Sequence, residues 1–225
     1  RVRVGAACRE ESTCGYAAAS AATRARDINM AFADPAIKGI WCTRGGSTSA
    51  RILPLLDYDL IRANPKPFLG FSDVTSLHMA IQQRCGLVTY HGPTANRLLQ
   101  FERNDWSWGG LAAVMGMENA LTIANPPDEA IYSLRPGTAC GELIGGNMSL
   151  VTASLGTPWE IDTVGQVLYL EDVGEAVYAL ERMLTQLMYA GVLDRAAAVV
   201  LGPFTSCRNA YREEYGPESL LRDFS

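Results

Sequence analysis

Short apolar runs alternate with segments of helical spacing through the first 125 residues. The runs, each interpreted as a buried strand, cover residues 37–42, 67–71 and 86–93. The segments between them, 50–63 and 73–84, have helical spacing, and Pro54 is expected to bend or split the first. The second is predicted to be amphipathic, with one apolar face. Strand–helix–strand order at this spacing predicts βαβ units around a parallel sheet.

The pattern resumes after a segment rich in proline and glycine, residues 124–137. It then predicts a strand, a Gly-Gly-Asn turn and a helix, followed by further elements. These are a strand over 165–175, a helix over 175–190 that ends at Gly191, and a buried strand over 196–204. The first residues alternate like a strand, and the last ones are typical of a helix. We therefore expect an N-terminal domain over 1–125, a linker over 126–137 and a C-terminal domain over 138–225.

Composition excludes several classes of function. The chain has 225 residues, is 48% apolar and carries a net charge of −5 without a basic cluster, which argues against nucleic acids and anionic membranes. No apolar run approaches the roughly 18 residues of a membrane span. Six scattered cysteines, none in a C-x-x-C pair, indicate reduced thiols as in a cytosolic protein. With only two histidines present, a histidine-rich metal site is not expected.

Ser72 stands between the second strand and the helix that follows it. Ligands of α/β folds bind at this end of a parallel strand, and the next backbone N–H could stabilise an oxyanion there. The elbow motif G-x-S-x-G is not met, since Val74 replaces its second glycine. Alternatively, Ser72 is a helix N-cap that accepts a hydrogen bond from the N–H of Val74 or Thr75. Local sequence favours the cap and leaves the nucleophile open.

The Gly45-Gly46 pair follows the first strand, in the stretch RGGSTSAR. Glycines permit a close backbone approach, so this loop could supply a second oxyanion N–H. It could equally be an ordinary loop in which a side chain of residues 47–49 caps the next helix. From local sequence the ordinary loop is favoured.

Glu171 is the first of the acids at the end of the strand over 165–175 and could orient a histidine in a catalytic triad. Local sequence favours a simpler role, in which it and neighbouring acids favour the N-terminus of the next helix. A serine nucleophile needs a base, which is usually histidine. His78 is six residues past Ser72, a spacing that does not share a helical face, and His91 precedes Gly-Pro. Both are interpreted as structural, although His91 could line the rim of the sheet.

Five stretches, in this order, resemble the LD-carboxypeptidase family, the serine peptidases of the murein tetrapeptide carboxypeptidase and microcin-immunity type. They are RARDINMAFADPAIKGIWCTRGGSTSARILPLLDYDLI, PKPFLGFSDVTSLHMAI, GLVTYHGP, GELIGGNMSLVTASLGTPWE and VLYLEDVGEAVYALERMLTQLMYAGVL. The expected fold is α/β, with a flavodoxin- or glutamine-amidotransferase-like parallel-sheet domain and a smaller mixed α/β domain.

The resemblance implies a set of site residues. The nucleophile is Ser72, and the charge-relay carboxylate is Glu171. The oxyanion donors are the backbone N–H groups of Asp73 and of Gly46, with Gly45 as the alternative to Gly46. The family has Tyr-Gly where this chain has Ser47-Thr48, which could alter the loop. Neither histidine matches the catalytic one, which is expected beyond Ser225, and an N-terminal strand and helix are also expected to be missing.

The resemblance further implies a cytosolic enzyme without metal or cofactor that removes the terminal D-alanine of murein tetrapeptides. The expected partner is a muropeptide or small peptide substrate, and a homodimer is a family expectation. One alternative is an enzyme of the microcin-immunity type that hydrolyses a peptidyl-nucleotide amide. Another is a non-catalytic protein that binds muropeptides. Residues 1–225 alone are expected to be inactive, because the catalytic histidine is missing.

Overall fold

The computed structural model describes residues 1–11, 14–98, 105–116, 122, 125 and 130–224. Its α-helices are α1 (Ala21–Ala33), α2 (Tyr58–Ala63), α3 (Thr75–Cys85), α4 (Ala95–Leu98), α5 (Asp105–Met115), α6 (Met148–Ser154), α7 (Val177–Tyr189), α8 (Val192–Arg195) and α9 (Pro217–Asp223). Three 3-10 helices cover Ala6–Cys8, Ser49–Leu55 and Ser72–Val74. The strands are β1 (Ile40–Trp41), β2 (Phe68–Gly70), β3 (Tyr90–His91), β4 (Leu143–Asn147), β5 (Val167–Val173) and β6 (Ala198–Thr205).

The first sheet has the order β1-β2-β3, with both strand pairs parallel. Its strands are shorter than the apolar runs that predicted them. All three residues of β2 are buried, which is typical of a central strand that is covered on both faces. The segment over 50–63 is split as predicted, into a 3-10 helix that contains Pro54 and the helix α2. The parallel α/β fold predicted from the sequence is therefore confirmed.

The second sheet is also parallel, in the order β4-β5-β6. Gly145, Gly146 and Asn147 pair with β5 as the end of β4, so the predicted Gly-Gly-Asn turn is wrong. The prediction of a buried last strand is also wrong. Val199 and Val200 of β6 are 41% and 45% exposed. Within the described residues β6 pairs with β5 alone, so these residues keep the exposure of an edge strand.

Helix α3 is buried between the cores of the two halves. Leu77 and Ile81 pack in the apolar cluster of the first half, and Met79 packs in the cluster of the second. Thr75 and Ser76 are also buried, so the expectation of one apolar face is wrong. The helix is covered on more than one side because elements from residues 143–162 close over it. Gln82 donates to the Leu143 carbonyl at 3.2 Å.

Helix α7 agrees with its predicted pattern. Its buried side chains are the four expected from the spacing, Val177, Leu180, Leu184 and Leu187. Gly191 adopts a φ of +70° directly after the C-cap residue Ala190, where a left-handed residue ends a helix. The apolar face packs in the core of the second half. Because α7 packs on one surface, the spacing of its apolar residues correctly predicts which side of the helix is buried.

The sequence pattern predicts the secondary structure correctly at the C-terminal end of the chain and incorrectly at the N-terminal end. The strand predicted for the first residues is absent, and Val2 and Val4 are exposed. The predicted C-terminal helix is present as α9. Residues 126–129 of the predicted linker lie outside the described residues, and the domain boundaries stay a prediction. In the part of the chain that is described, no helix combines the length and apolarity of a membrane span.

We predict that Gly145→Ala destabilises the fold by more than about 3 kcal/mol. A Cβ at Gly145 would lie 2.1 Å from the carbonyl oxygen of Tyr169, and its φ of +117° strains any residue with a side chain. Urea unfolding of residues 1–225 measures the loss. Gly137→Ala is the matched control, with no atom within 4 Å of its new Cβ. Equal unfolding midpoints for the two variants would contradict the prediction.

Candidate active site

Ser72 lies directly past the carboxyl end of β2 with a φ of +64°. This region is uncommon for a residue with a side chain and costs on the order of 1 kcal/mol. Ser72 begins a 3-10 helix that continues into α3, and the N-cap residues of these two helices are Phe71 and Val74. Neither helix has a side-chain cap, so the N-cap interpretation of Ser72 is wrong. A strained turn between a strand and a helix presents the side chain at the end of the sheet.

The Gly45-Gly46 loop lies against this turn. A Cβ at Gly45 would lie 3.0 Å from the Cβ of Ser72 and 3.1 Å from its Oγ, so a side chain there would crowd the hydroxyl. Gly46 lies next to the carboxylate of Asp73 and has a φ of +150°. Thr48 is the N-cap residue of the following 3-10 helix but makes no side-chain cap, so the ordinary capping role predicted for this loop is wrong.

Glu171 lies near the carboxyl end of β5, where it pairs in register with Asn147 of β4. The backbone N–H of Asn147 donates to Thr75 Oγ1 at 3.0 Å, which joins this sheet to the first turn of α3. The carboxyl ends of the two sheets therefore meet at the N-terminus of the helix that follows Ser72. Sequence reasoning missed both Thr75 and Asn147, because no local signal links residues so far apart in the chain.

His91 also lies at this junction, a position that the sequence offered only as the alternative to a structural role. It ends β3, and its Nε2 lies 3.9 Å from Glu171 Oε1, which is beyond hydrogen-bonding distance. Its ring packs edge-on against Phe71 and Tyr169, with centroid distances of 6.3 and 5.6 Å. Its Nδ1 lies beside Gly146, where a Cβ would approach it to 3.0 Å. His91 therefore lies between the sheets, with its Nε2 toward Glu171.

His78 has the structural role expected from the sequence. It is buried in α3, and its Nε2 lies 2.8 Å from the carbonyl oxygen of Gly70. This contact joins α3 to the last residue of β2. Ser72 lies between the two joined residues in the chain, so the hydrogen bond holds both sides of the strained turn.

Burial sets the protonation of the groups around the junction. It raises the pKa of Glu171 to about 7, and the neighbouring carboxylate of Asp172 acts in the same direction. Burial lowers the pKa of His91 to about 4, and that of His78 to about 4. At neutral pH both imidazoles are therefore neutral, and Glu171 is partly protonated. The close approach of His91 and Glu171 is consequently not an ion pair at that pH.

The site shows no sign of a metal centre within the described residues. Among them, no group of three or more His, Cys, Asp and Glu side chains could hold a metal ion. The arrangement instead combines a strained serine, a glycine loop against it and a buried carboxylate across the junction. Such an arrangement is compatible with nucleophilic catalysis.

Comparison with known families gives two matches that together cover most of the chain. The LD-carboxypeptidase N-terminal domain matches residues 1–92, and the LD-carboxypeptidase C-terminal domain matches residues 140–224. The "Probable murein peptide carboxypeptidase" of Bacillus subtilis (strain 168) is 37% identical over 225 residues, which are 100% of this chain and 70% of that protein. The murein tetrapeptide carboxypeptidase of Pseudomonas aeruginosa is 34% identical over 208 residues, covering 88% of this chain and 66% of that protein.

Among solved structures, MccF in complex with glutamyl sulfamoyl guanosine superposes with a TM-score of 0.83 at 27% sequence identity. The match covers 97% of this chain and 72% of that one. The chain spans 61% to 70% of the length of the curated relatives from Bacillus subtilis, Streptomyces coelicolor and Synechocystis.

We predict that Glu171→Gln changes the pH dependence of stability. Because the pKa of Glu171 rises from 4.5 to about 7 on folding, its contribution is fully present below 4.5 and is lost as the pH rises through 7. Relative to wild type, the variant should gain roughly 2 to 3 kcal/mol over this range. Urea unfolding of both proteins from about pH 4 to about pH 8 tests this.

The two histidines have lowered pKa values and therefore the opposite trend, in which stability is lost as the pH falls from 6.5 toward 4. Both proteins contain them, so their contribution largely cancels in the difference. A difference in unfolding free energy that stays constant with pH would contradict the prediction.

Proposed function

Because this chain belongs to the LD-carboxypeptidase family, we propose that it carries the nucleophile and the charge-relay carboxylate of a serine carboxypeptidase. The proposed reaction hydrolyses the amide bond between the L-centre of a diamino acid and the terminal D-alanine of a murein tetrapeptide. Its products are a tripeptide and free D-alanine, as in cytosolic recycling of the cell wall. The names of the relatives from Bacillus subtilis and Pseudomonas aeruginosa support a murein peptide as substrate.

The observation that carries the proposal is the strained turn at Ser72. A φ of +64° at a serine persists only when the surrounding structure determines it, and such strain is concentrated at functional sites. The contact of Gly45 with the Ser72 side chain leaves little room for a Cβ and keeps backbone, rather than a side chain, beside the hydroxyl. Together they support attack by Ser72 Oγ on a carbonyl carbon held between the turn and the loop.

In the proposed step, a base removes the proton of Ser72 as its oxygen forms a bond to the scissile carbonyl carbon. The negative charge that develops on the carbonyl oxygen is stabilised by the N–H groups of Asp73 and Gly46, with Gly45 as the alternative. Each such donor contributes about 3 kcal/mol in comparable enzymes. The N–H of Asp73 belongs to the first turn of a helix, where backbone donors have no intrahelical partner. Gly45 brings the following peptide group, which carries the Gly46 N–H, close to Ser72.

Glu171 has the proposed role of orienting the base. Its Oε1 is buried and has no hydrogen-bond partner among the described residues, so it could accept the N–H of an imidazole. His78 is an unsuitable base because its Nε2 contacts the Gly70 carbonyl. His91 has its Nε2 toward Glu171 and its Nδ1 beside Gly146. We therefore assign neither of its nitrogens as the acceptor of the Ser72 proton. We therefore propose that the base is a histidine outside residues 1–225.

The similarity to MccF favours a second candidate within the same chemistry. In this alternative the Ser72 site hydrolyses the amide of a peptidyl nucleotide rather than a muropeptide. The bound glutamyl sulfamoyl guanosine of the solved MccF complex motivates it. Turnover of murein tetrapeptide and of an acyl-sulfamoyl adenylate, measured side by side in the full-length protein, separates the two. A protein that binds muropeptide but turns over neither compound would be a non-catalytic binder.

We predict that Ser72→Ala abolishes release of D-alanine from murein tetrapeptide by the full-length protein. The substitution removes the attacking oxygen and should lower kcat by at least about 10⁴-fold. Chromatography of released D-alanine measures turnover, and thermal unfolding confirms that the variant is folded. Ser76→Ala, a buried serine in α3, is the control and should keep most of the activity. Wild-type turnover by Ser72→Ala would exclude Ser72 as the nucleophile.

Residues 1–225 alone are predicted to release no D-alanine, since the proposed base lies outside them. The same assay measures this, with the full-length protein as the positive control. If residues 1–225 were active, His91→Gln would show whether His91 serves as the base. Activity that His91→Gln abolished would overturn the assignment of the base to a residue outside this range.

A further inference from the structure

The side chain of Asp73 makes contacts that the proposed reaction does not use. Its Oδ2 accepts three hydrogen bonds from the glycine-pair loop and the 3-10 helix after it. The donors are the N–H of Thr48 at 2.9 Å, the N–H of Ser49 at 2.8 Å and the Oγ of Ser49 at 2.6 Å. Asp73 is 3% exposed, so these bonds are shielded from water. Its Oδ1 is buried without a hydrogen-bond partner among the described residues.

From this geometry we propose that the carboxylate of Asp73 is a positioning residue that holds the Gly45-Gly46 loop in register with Ser72. The inference rests on the proposed function of that site. Asp73 directly follows the nucleophile, so the same residue links the turn to the loop that faces it. Charge-assisted hydrogen bonds of this kind are about twice as strong as neutral ones, and burial removes the competition of water.

The loop has a second attachment, which limits its movement on the other side. Arg24 Nη1 of α1 donates to Thr48 Oγ1 at 2.8 Å. Thr48 is therefore held by Arg24 through its side chain and by Asp73 through its backbone. Only a short stretch separates this anchored residue from the Gly46 N–H. Loss of the Asp73 contacts should let that N–H move without unfolding the rest of the site.

The second half of the chain contains the same arrangement. Asp172 directly follows Glu171, and its Oδ2 accepts from the N–H of Ser149 at 2.9 Å and from the Oγ of Ser149 at 2.8 Å. In both halves the serine belongs to a G-G-x-x-S stretch, Gly45–Ser49 in the first and Gly145–Ser149 in the second. The first stretch follows β1, which pairs with β2, the strand before Ser72. The second stretch lies at the end of β4, which pairs with β5, the strand that contains Glu171. A buried contact between an aspartate and a serine therefore occurs in both halves of the chain.

The proposal predicts a lower kcat with little change in KM, which a purely structural role of Asp73 would not. The oxyanion forms only as the reaction proceeds, so a displaced donor weakens the transition state and leaves substrate binding largely unchanged. In the full-length protein, Asp73→Ala should lower kcat by about 100-fold or more, with KM changed by less than about threefold. The affinity of a peptide boronate, which mimics the oxyanion, should fall in parallel with kcat/KM.

Two conservative variants sharpen this test. Asp73→Asn keeps an acceptor oxygen and loses the charge, so its kcat should lie between those of wild type and Asp73→Ala. Ser49→Ala removes one of the three donors and keeps both backbone bonds, so it should lower kcat by less than about fivefold. Asp57→Asn is the control, because Asp57 caps α2 through the Leu60 N–H at 2.9 Å and makes no contact in the site. It should leave kcat within about twofold of wild type.

A second readout needs no activity and can be made on residues 1–225. Hydrogen exchange of the Thr48 and Ser49 amides should be at least about tenfold faster in Asp73→Ala than in wild type, while exchange in α7 stays unchanged. Wild-type exchange at both amides, or wild-type kcat in Asp73→Ala, would overturn the proposal. If Ser72→Ala abolishes turnover and Asp73→Ala keeps wild-type kcat, the positioning role alone is wrong. If Ser72→Ala remains active, the proposed function is wrong, and the exchange result still decides whether Asp73 holds the loop.

Discussion

The burial of α3 between two apolar cores is the constraint on which the arrangement of the site depends. One face of this helix packs with the first parallel sheet, and Met79 packs with the second. Neither half covers the helix completely, so burying its apolar surface requires both. Because Ser72 stands at the start of the same helical segment, the packing that stabilises the fold also sets where the serine lies.

The junction of the two sheets follows from this packing. Strands of both sheets end near the first turn of α3, where Thr75 accepts a hydrogen bond from the backbone of Asn147. Glu171 and His91 are brought together from opposite sides of the junction. The low-dielectric surroundings raise the pKa of the acid and lower that of the imidazole, so the pair is held with little net charge. A polar junction between apolar cores is where α/β proteins bind ligands.

Local strain and close packing complement each other at Ser72. The left-handed backbone at the serine presents its hydroxyl at the end of β2, and Gly45 lets the facing loop approach without a side chain. Asp73 then joins turn and loop through buried hydrogen bonds. Membership of the LD-carboxypeptidase family and this geometry both support the catalytic site proposed at Ser72.

Local sequence determined the features that depend on one partner surface. The approximate positions of β1 to β6 and the buried side of α7 could be predicted, because periodicity reports burial against a single neighbour. The split at Pro54 could be predicted because proline interrupts a helix. The positions of Ser72 and Glu171 at strand ends could be predicted from the same periodicity. Their assignment to catalysis came from the family resemblance, since local sequence favoured simpler roles for both.

Only the tertiary structure decided the features that depend on residues distant in the chain. The burial of α3 on more than one side and the approach of His91 to Glu171 arise where two sheets and a helix meet. The exposure of β6 arises because it pairs with β5 alone among the described residues. The φ of Ser72 is likewise imposed by its surroundings, because a serine by itself prefers other backbone conformations. A sequence pattern records which residues can be buried, whereas the three-dimensional packing determines which neighbours bury them.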